Sequence, residues 1–476
     1  MKTCPFLCFF LLFALVSYSQ TEVPSFFADN MVLQQQSNAA VWGMDVPGSI
    51  VKIEGSWGST AETKTAQNGS WQVYLETPKA SFEAETLTIK GSSTITLKNV
   101  LIGEVWFCSG QSNMEMPIKG FDKSPVNGSD RFLADADHPN IRLFNAPRAA
   151  SLSPQNDIQG KWEMASQESV SEFSAVGYLF GKKLFDKLHI PIGIIESSWG
   201  GTQIEAWMPA ASASLHATIK IPESLSKNQN EQKKPTALYN AMIYPFQDFK
   251  IKGILWYQGE SNRNNPTPYK QYMHDLIGAW RAQFYQPELP FYMVQIAPYG
   301  YAEYRNGNVL DANLIREAQA LAAQEIPNTG IAITSDVGKC NDIHPPEKKT
   351  IAERLANMAL VEQYDFENLG YKSPEFKTLE MQGNKIKLKF DFDNATNGNQ
   401  QFDTTNEIRD FTIAGKDQKF YPATVTVTDD QALSVESDKV AKPVAVRYGF
   451  VDCLEGSLFS KAGLPVSPFR TDSWKN

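Results

Sequence analysis

The sequence VWFCSGQSNMEM, residues 105–116, joins the pattern of a buried strand to a polar turn. An apolar run at 105–107 leads to Ser112, which stands between two amide residues, Gln111 and Asn113. A serine at a strand-to-helix turn is commonly an N-cap, because its hydroxyl can satisfy a free helix amide. The same place at the end of a strand also suits a nucleophile, so this stretch leaves both interpretations open.

Strand-like and helix-like segments alternate from about residue 103 to residue 364. Apolar runs predict buried strands, and positions of helical spacing predict the helices that follow them. The predicted strands are 192–195, 254–257, 291–294 and 331–333, and the predicted helices are 173–188, 269–284, 314–325 and 348–361. Repeated units of this kind predict an α/β fold, a parallel sheet with helices on both faces. Reactive groups in such sheets gather at the carboxyl ends of the strands.

Short alternating strands flank this region on both sides. We predict an N-terminal β domain at 20–101, an α/β domain at 102–365 and a C-terminal β domain at 366–476, with both β domains sandwich-like. A polar, lysine-rich stretch at about 213–235 interrupts the α/β pattern. We expect it to be a surface insertion that walls one side of a cleft.

The start of the chain predicts export. Residues 1–19 combine an early lysine, a short apolar run and the small residues that a signal peptidase prefers. We therefore expect a signal peptide, a secreted or periplasmic protein, and no membrane span after cleavage. The formal net charge of -9 lacks the basic surplus that phosphate binding needs, so no nucleic-acid partner is expected.

Cysteine usage predicts neither a disulfide framework nor a metal site. Cys4 and Cys8 leave with the signal peptide, and Cys108, Cys340 and Cys453 remain, without metal-ligand spacing. Cys108 and Cys340 each lie four residues before a candidate catalytic residue, so a bridge between them is an alternative. Buried free thiols are the favoured expectation.

Polar residues are concentrated in four loops that follow predicted strands. The loops are 110–113, 197–202, 258–262 and 335–345. Each alone has an ordinary structural interpretation, such as a cap, a tight turn or a satisfied buried amide. Four such loops at one edge of a parallel sheet together indicate a hydrolytic site.

One of the five histidines fits that site. His344 follows a core strand and has Asp342 two residues before it, whereas the other four lie in helical stretches, in the insertion or in a polar loop at 137–139. An imidazole can take the proton of Ser112, and a carboxylate can orient the imidazole. We favour Asp342 for that role. Glu260 is the competitor, unless it only accepts hydrogen bonds from neighbouring loop amides.

The motifs resemble those of the SGNH hydrolases and, more narrowly, the sialate O-acetylesterase family. The matching stretches are 31–35, 41–43, 103–106, 110–114, 256–262, 343–345 and 463–472, which together extend over nearly the whole chain after the signal peptide. The resemblance implies a flavodoxin-like, three-layer core flanked by β domains.

Carried over residue by residue, the resemblance implies Ser112 as nucleophile and His344 as base. The oxyanion would be held by the backbone amide of Ser112, by that of Gly201 or of Gly200, and by a side-chain amide. That side chain is Gln258, with Asn262 as the other possibility in the same loop. The implied oxyanion and substrate-binding set is thus Gly201, Gln258, Glu260 and Asn262. No cofactor or metal is expected.

The sequence therefore predicts a carbohydrate esterase that removes acetyl groups from sugar hydroxyls through an acetyl-serine intermediate. The resemblance makes sialic acid the expected sugar. An acetyl-xylan esterase is the closest alternative. A carbohydrate-binding protein built around an inactive hydrolase core is the alternative from another class. The oligomeric state is not predicted.

Overall fold

The computed structural model describes residues 20–226, 230–305, 311–392 and 400–474. The predicted signal peptide, residues 1–19, lies outside the described residues, as do residues 227–229 of the predicted insertion. Among the described residues, no helix combines the length and the apolar character needed to cross a membrane.

The N-terminal region is built from seven strands. They are β1 (Val32–Gln34), β2 (Asn38–Met44), β3 (Ile50–Gly55), β4 (Thr60–Lys64), β5 (Ser70–Glu76), β6 (Ser81–Lys90) and β7 (Thr94–Gly110). β2 pairs with β5 as one antiparallel sheet, and β3 pairs with β4 and β6 in another. In β5, Trp71, Val73 and Leu75 point inward and alternate with exposed residues. The β pattern expected for this region is confirmed.

β7 is 17 residues long and belongs to two parts of the molecule. Its first half pairs antiparallel with β6, and its second half pairs parallel with strands of the α/β core. The predicted boundary between residues 101 and 102 lies inside this strand. The core sheet therefore continues directly into the N-terminal β region.

The core that follows contains nine α-helices and six further strands among the described residues, besides short 3-10 and π turns. In chain order these are α1 (Ser112–Glu115), α2 (Ser129–Ala134), β8 (His138–Asn145), β9 (Trp162–Ala165), α3 (Gln167–Ser171), α4 (Ala175–Leu188), β10 (Ile192–Ser198), α5 (Ala210–Ala213), β11 (Gly253–Tyr257), α6 (Tyr269–Gln283), β12 (Phe291–Val294), α7 (Tyr301–Arg305), α8 (Asp311–Glu325), β13 (Thr329–Ala332) and α9 (Lys348–Tyr364). The strands lie in the order β13-β12-β11-β7-β10-β8-β9. All neighbours in this row are parallel except the pair β8 and β9 at the edge.

Helices cover both faces of this sheet. α6 and α8 pack on one face with Ile254 and Trp256 of β11, and α4 and α9 pack on the other face with Leu255 and Tyr257. A strand buried on both faces has to be apolar at every position, which is why these strands appear in the sequence as unbroken apolar runs.

Element boundaries follow local capping. α4 begins at Ala175 and not at Phe173, because the hydroxyl of Ser174 accepts the backbone N–H of Gly177 at 3.0 Å and caps the helix. His138, expected in a polar loop, is instead the first residue of β8, where the following Pro139 concealed the strand. α5 ends where the predicted insertion begins, and the described part of the insertion after it has one 3-10 turn at 231–233.

The C-terminal region forms two antiparallel sheets of four strands. The strands are β14 (Glu375–Gln382), β15 (Lys385–Asp391), β16 (Phe411–Ala414), β17 (Phe420–Pro422), β18 (Thr424–Val427), β19 (Leu433–Glu436), β20 (Ala445–Tyr448) and β21 (Phe469–Arg470). The sheet orders are β14-β15-β19-β18 and β17-β16-β20-β21. Side chains from both sheets, including Leu388, Ile413, Val435 and Val446, share one apolar core. A two-sheet β region was expected here.

The expectation of buried free thiols is confirmed for Cys108 and is wrong for Cys340 and Cys453. Cys340 forms a disulfide with Cys453, and Cys108 is a free, buried thiol. A bridge between Cys108 and Cys340 is excluded, because the sulfur of Cys340 is already bonded to that of Cys453. The disulfide connects that loop to the C-terminal β region.

Candidate active site

The four polar loops meet at the carboxyl edge of the sheet, as expected for parallel strands. They follow β7, β10, β11 and β13. At the end of β7, Gly110 has φ +142°, and a Cβ there would stand 2.2 Å from the carbonyl oxygen of Tyr257. Only glycine allows β7 and β11 to approach this closely before the chain turns into α1.

Ser112 is the first residue of α1 and faces His344. Its Oγ lies 2.9 Å from Nε2 of His344. The preceding residue, Gln111, is the N-cap of α1, and no side chain caps the helix. The ring of Phe121 packs edge-on against the imidazole with a centroid distance of 5.2 Å. The hydroxyl of Ser112 is thus paired with a base and does not act as a helix cap.

Asp342 lies beside His344, but its carboxylate is closer to the backbone of His344 than to the imidazole ring. Its Oδ1 accepts the backbone N–H of His344 at 2.9 Å and the hydroxyl of Ser124 at 2.9 Å. The same oxygen is 4.0 Å from Nδ1 of His344, which is beyond hydrogen-bond distance.

Glu260 is bound into a buried network behind the loop of His344. Its Oε1 accepts from Nδ2 of Asn113 at 2.6 Å, and the same Nδ2 donates to the carbonyl oxygen of Ile343 at 3.1 Å. Lys348 donates to Oδ1 of Asn113 at 2.6 Å. Burial lowers the pKa of Lys348 to about 7 and raises the pKa of Glu260. Both groups are therefore shifted towards their neutral forms, and Asn113 joins them to the backbone next to His344.

Gln258 and Asn262 lie at the same edge and are bonded to each other. Nε2 of Gln258 donates to Oδ1 of Asn262 at 2.8 Å and to the carbonyl oxygen of Thr202 at 3.0 Å. Nδ2 of Asn262 donates to Glu205 at 2.8 Å. Gln258 is fully buried. Donation from Gln258 to a bound oxyanion would require it to exchange one of these partners.

The two glycines after β10 differ. The N–H of Gly200 donates to Oε2 of Glu115 at 2.9 Å. Gly201 is exposed, has φ +73°, and has no atom within 4 Å of where a Cβ would stand. Gly200 lies directly against Ser112, since a Cβ on Gly200 would be 3.2 Å from Cβ of Ser112. The side chain of Glu115 thus occupies the amide of Gly200.

A cleft of about 860 Å³ opens beside His344. Its lining contains acidic side chains, basic side chains and the ends of β8 and β10. The charged residues among them are Glu115, Lys119, Asp122, Lys123, Arg148, Glu172 and Glu196. Glu196, at the end of β10, is only 4% exposed, and burial raises its pKa well above the usual range. A cleft of this size and polarity fits a hydrophilic ligand of the size of a sugar.

Several residues of the site were not identified from the sequence. Asn113 and Gln111 flank Ser112 in the stretch 105–116 and bind the neighbouring loops. For example, Oε1 of Gln111 accepts from Nε2 of Gln258 at 3.2 Å. The only sequence signal for Lys348 was its position shortly after His344. No sequence signal pointed to Arg148, because the strand before it, β8, was not predicted.

Comparisons with known proteins agree with this arrangement. Residues 102–361 match the family model described as carbohydrate esterase, sialic acid-specific acetylesterase. The sialate O-acetylesterase of Mus musculus is 28% identical, over 90% of this chain and 88% of the mouse chain. That of Homo sapiens is also 28% identical, over 90% of this chain and 87% of the human one. The crystal structure of a carbohydrate acetylesterase from Xanthomonas citri is similar with a TM-score of 0.85 and 35% identity, covering 96% of this chain and 100% of that chain.

Fold, site and matches together define a carboxylic ester hydrolase that removes acetyl groups from carbohydrates. The matched region is the one that carries the four loops. The chain belongs to the sialic acid-specific acetylesterase family of carbohydrate esterases. The resemblance noted in the sequence is confirmed.

Proposed function

We propose that this protein is a serine esterase that removes O-acetyl groups from sialic acid through an acetyl-serine intermediate. The observation that carries the proposal is the 2.9 Å contact between Oγ of Ser112 and Nε2 of His344 at the carboxyl edge of the sheet. A nucleophile and a base within hydrogen-bond distance are the minimum for this chemistry. The sialic acid assignment draws on the relatives, whose names specify sialate esters.

In the proposed reaction, Oγ of Ser112 attacks the acetyl carbonyl carbon while Nε2 of His344 takes the serine proton. The resulting oxyanion accepts hydrogen bonds from the backbone N–H of Ser112 and that of Gly201. The tetrahedral intermediate collapses to acetyl-serine, and His344 returns the proton to the departing sugar oxygen. Water, activated by His344, then attacks the acetyl-serine and releases acetate and the free serine.

Asp342 is the proposed orienting acid for His344. Its bond to the backbone N–H of His344 keeps the carboxylate beside the ring, at 4.0 Å from Nδ1. Catalytic hydrogen bonds are often long before substrate binds and shorten in the reacting complex. Glu260 is engaged by Asn113 and supports the loop of His344 from behind.

We also infer that the core is of the SGNH hydrolase type. The five strands β10-β7-β11-β12-β13 follow the order 2-1-3-4-5 of flavodoxin-like sheets. The four loops after β7, β10, β11 and β13 would supply serine, glycine, amide and histidine in that order. A secreted or periplasmic location follows from the predicted signal peptide at 1–19 and belongs to the same proposal.

The test measures acetate release by the chain that begins at residue 20. Wild type and Ser112→Ala are compared on O-acetylated sialic acid and on acetylated xylan. We expect the wild type to prefer the sialic acid ester and Ser112→Ala to lose roughly a thousandfold or more in kcat. Acid-quenched wild-type enzyme should carry an acetyl group on the peptide containing Ser112. Full activity of Ser112→Ala would overturn the serine mechanism, and preference for xylan would overturn the substrate.

A further inference from the structure

Arg148 is held in the active-site cleft with most of its donors open. It lies in the loop after β8, and the N–H of Ala146 in that loop donates to the carbonyl oxygen of Glu196 at 2.8 Å, which fixes the loop against β10. Nε of Arg148 donates to Oε1 of Glu115 at 2.5 Å. Within the described part of the chain, its two η nitrogens donate no hydrogen bond to the protein. The side chain is 57% exposed and lines the cleft.

Glu115 joins Arg148 to the reacting centre. One of its carboxylate oxygens accepts from Arg148, and the other accepts the backbone N–H of Gly200 at 2.9 Å. Gly200 lies against Ser112. Arg148 is therefore linked to the residue beside the nucleophile through one carboxylate and one glycine.

The other cations of the cleft are less suited to fixing a ligand. Lys119 pairs with Glu172 at 2.7 Å. Lys123 is exposed, and an ammonium on a flexible stem binds as a point charge without directional preference. The guanidinium of Arg148 instead presents two parallel N–H groups, the geometry that matches both oxygens of a carboxylate.

We propose that Arg148 binds the carboxylate of the acetylated sugar through its η nitrogens and thereby selects acidic sugars over neutral ones. This inference rests on the proposed function and adds the residue that would distinguish a sialic acid ester from an acetylated xylose. Sialic acid carries the carboxylate that the guanidinium requires, and xylose does not. Burial raises the pKa of the neighbouring Glu196, which disfavours a negative charge beside the ligand.

The test compares O-acetylated sialic acid with its methyl ester, in which the carboxylate is capped and the acetyl group is unchanged. The readout is the ratio of kcat/KM for the acid to kcat/KM for the methyl ester. A hydrogen-bonded charge pair of this kind corresponds to about a tenfold to hundredfold preference. We expect the wild type to show that preference and Arg148→Gln to bring the ratio close to one, through a rise in KM for the acid. Because the measure is a ratio, a general loss of activity cancels.

Two further variants sharpen the result. Arg148→Lys keeps the charge and loses the two parallel N–H groups, so its ratio should lie between those of the wild type and Arg148→Gln. Lys123→Ala removes another cation of the same cleft and should keep the wild-type ratio. A wild-type ratio near one, an unchanged ratio in Arg148→Gln, or an equal fall in Lys123→Ala would each overturn the assignment of Arg148. The proposed esterase function fails separately, by Ser112→Ala remaining active on the same substrates.

Discussion

Asp342 is bound to His344 through the main chain: its Oδ1 accepts the backbone N–H of His344 at 2.9 Å and stands 4.0 Å from the ring nitrogen Nδ1. The carboxylate thus moves with the residue that it is proposed to orient. A shift of about 1 Å between ring and carboxylate makes the hydrogen bond. Ser124, which donates to the same oxygen at 2.9 Å, limits how far the carboxylate can turn away.

Replacing Asp342 by asparagine tests this role. Asparagine keeps an oxygen for the backbone N–H of His344 but removes the charge, so we expect kcat on p-nitrophenyl acetate to fall about a hundredfold or more with little change in KM or melting temperature. Glu260→Gln is the matched comparison and should retain most of its kcat. If Asp342→Asn keeps nearly full kcat while Glu260→Gln loses several orders of magnitude, the orienting acid is Glu260.

Gln258→Ala should act first on stability. The side chain is fully buried and holds Asn262, Thr202 and Tyr269 by hydrogen bonds. Its removal leaves buried hydrogen-bond partners unsatisfied and should lower the free energy of unfolding by roughly 1–3 kcal/mol. The measurement is the denaturant midpoint, which should fall. A hundredfold fall in kcat at an unchanged midpoint would instead assign the Gln258 amide to the oxyanion.

The buried Lys348 gives stability a predictable dependence on pH. Burial lowers its pKa from 10.5 to about 7, so between these values the unfolded chain binds the proton and the folded chain does not. The contribution of Lys348 to stability therefore rises with pH from about 7 to about 10. We expect the melting temperature of the wild type, relative to Lys348→Met, to increase across this range.

The control for this experiment is Lys349→Met. Lys349 belongs to the same helix, but its side chain is 54% exposed. Its replacement should give a melting temperature that follows the wild type at every pH. A Lys348→Met variant that also follows the wild type would mean that Lys348 keeps its proton when folded.

Breaking the disulfide should weaken both the fold and the catalytic loop. Cys340 and Cys453 are 113 residues apart in the chain, and a disulfide typically stabilises a protein by about 2–4 kcal/mol, more for longer loops. Because Cys340 lies in the loop of His344, we expect Cys453→Ser to lower the melting temperature and kcat together. Reductant should reproduce this in the wild type and in Cys108→Ala, whose remaining cysteines after residue 19 form the bridge. An unchanged kcat in Cys453→Ser would show that the loop holds its shape alone.

Metal removal should leave the reaction unchanged. The loops around Ser112 offer backbone N–H groups, which stabilise an oxyanion as fixed dipoles. We therefore expect the same acetylesterase rate after dialysis against a chelator. A loss of activity that zinc restores would contradict the serine mechanism.

The α/β core was predictable because its signals are local. The apolar run at 291–294 is the strand β12, and the helix predicted at 269–284 is α6, which ends one residue earlier. The juxtaposition of Ser112 and His344 also followed from sequence, since parallel strands bring loops that are distant in the chain to one edge.

Other features depend on long-range geometry that no local pattern records. The partner of Cys340 is chosen by where the C-terminal β region packs, and cysteine spacing alone does not determine connectivity. The hydrogen bonds of Gln258 depend on three loops at once. Arg148 was not predicted as a site residue, because Pro139 kept the strand that precedes it, β8, from being predicted.

The continuity of β7 decides how this chain can be recombined with its relatives. A crossover at residue 101 or 102 would join two halves of one strand, and a slip of a single residue there turns every later side chain to the opposite face. Ser112 would then no longer face His344, although no residue of the site had been replaced. A viable chimera has its junction before Thr94, so that the strand and the nucleophile are inherited together from the same parent.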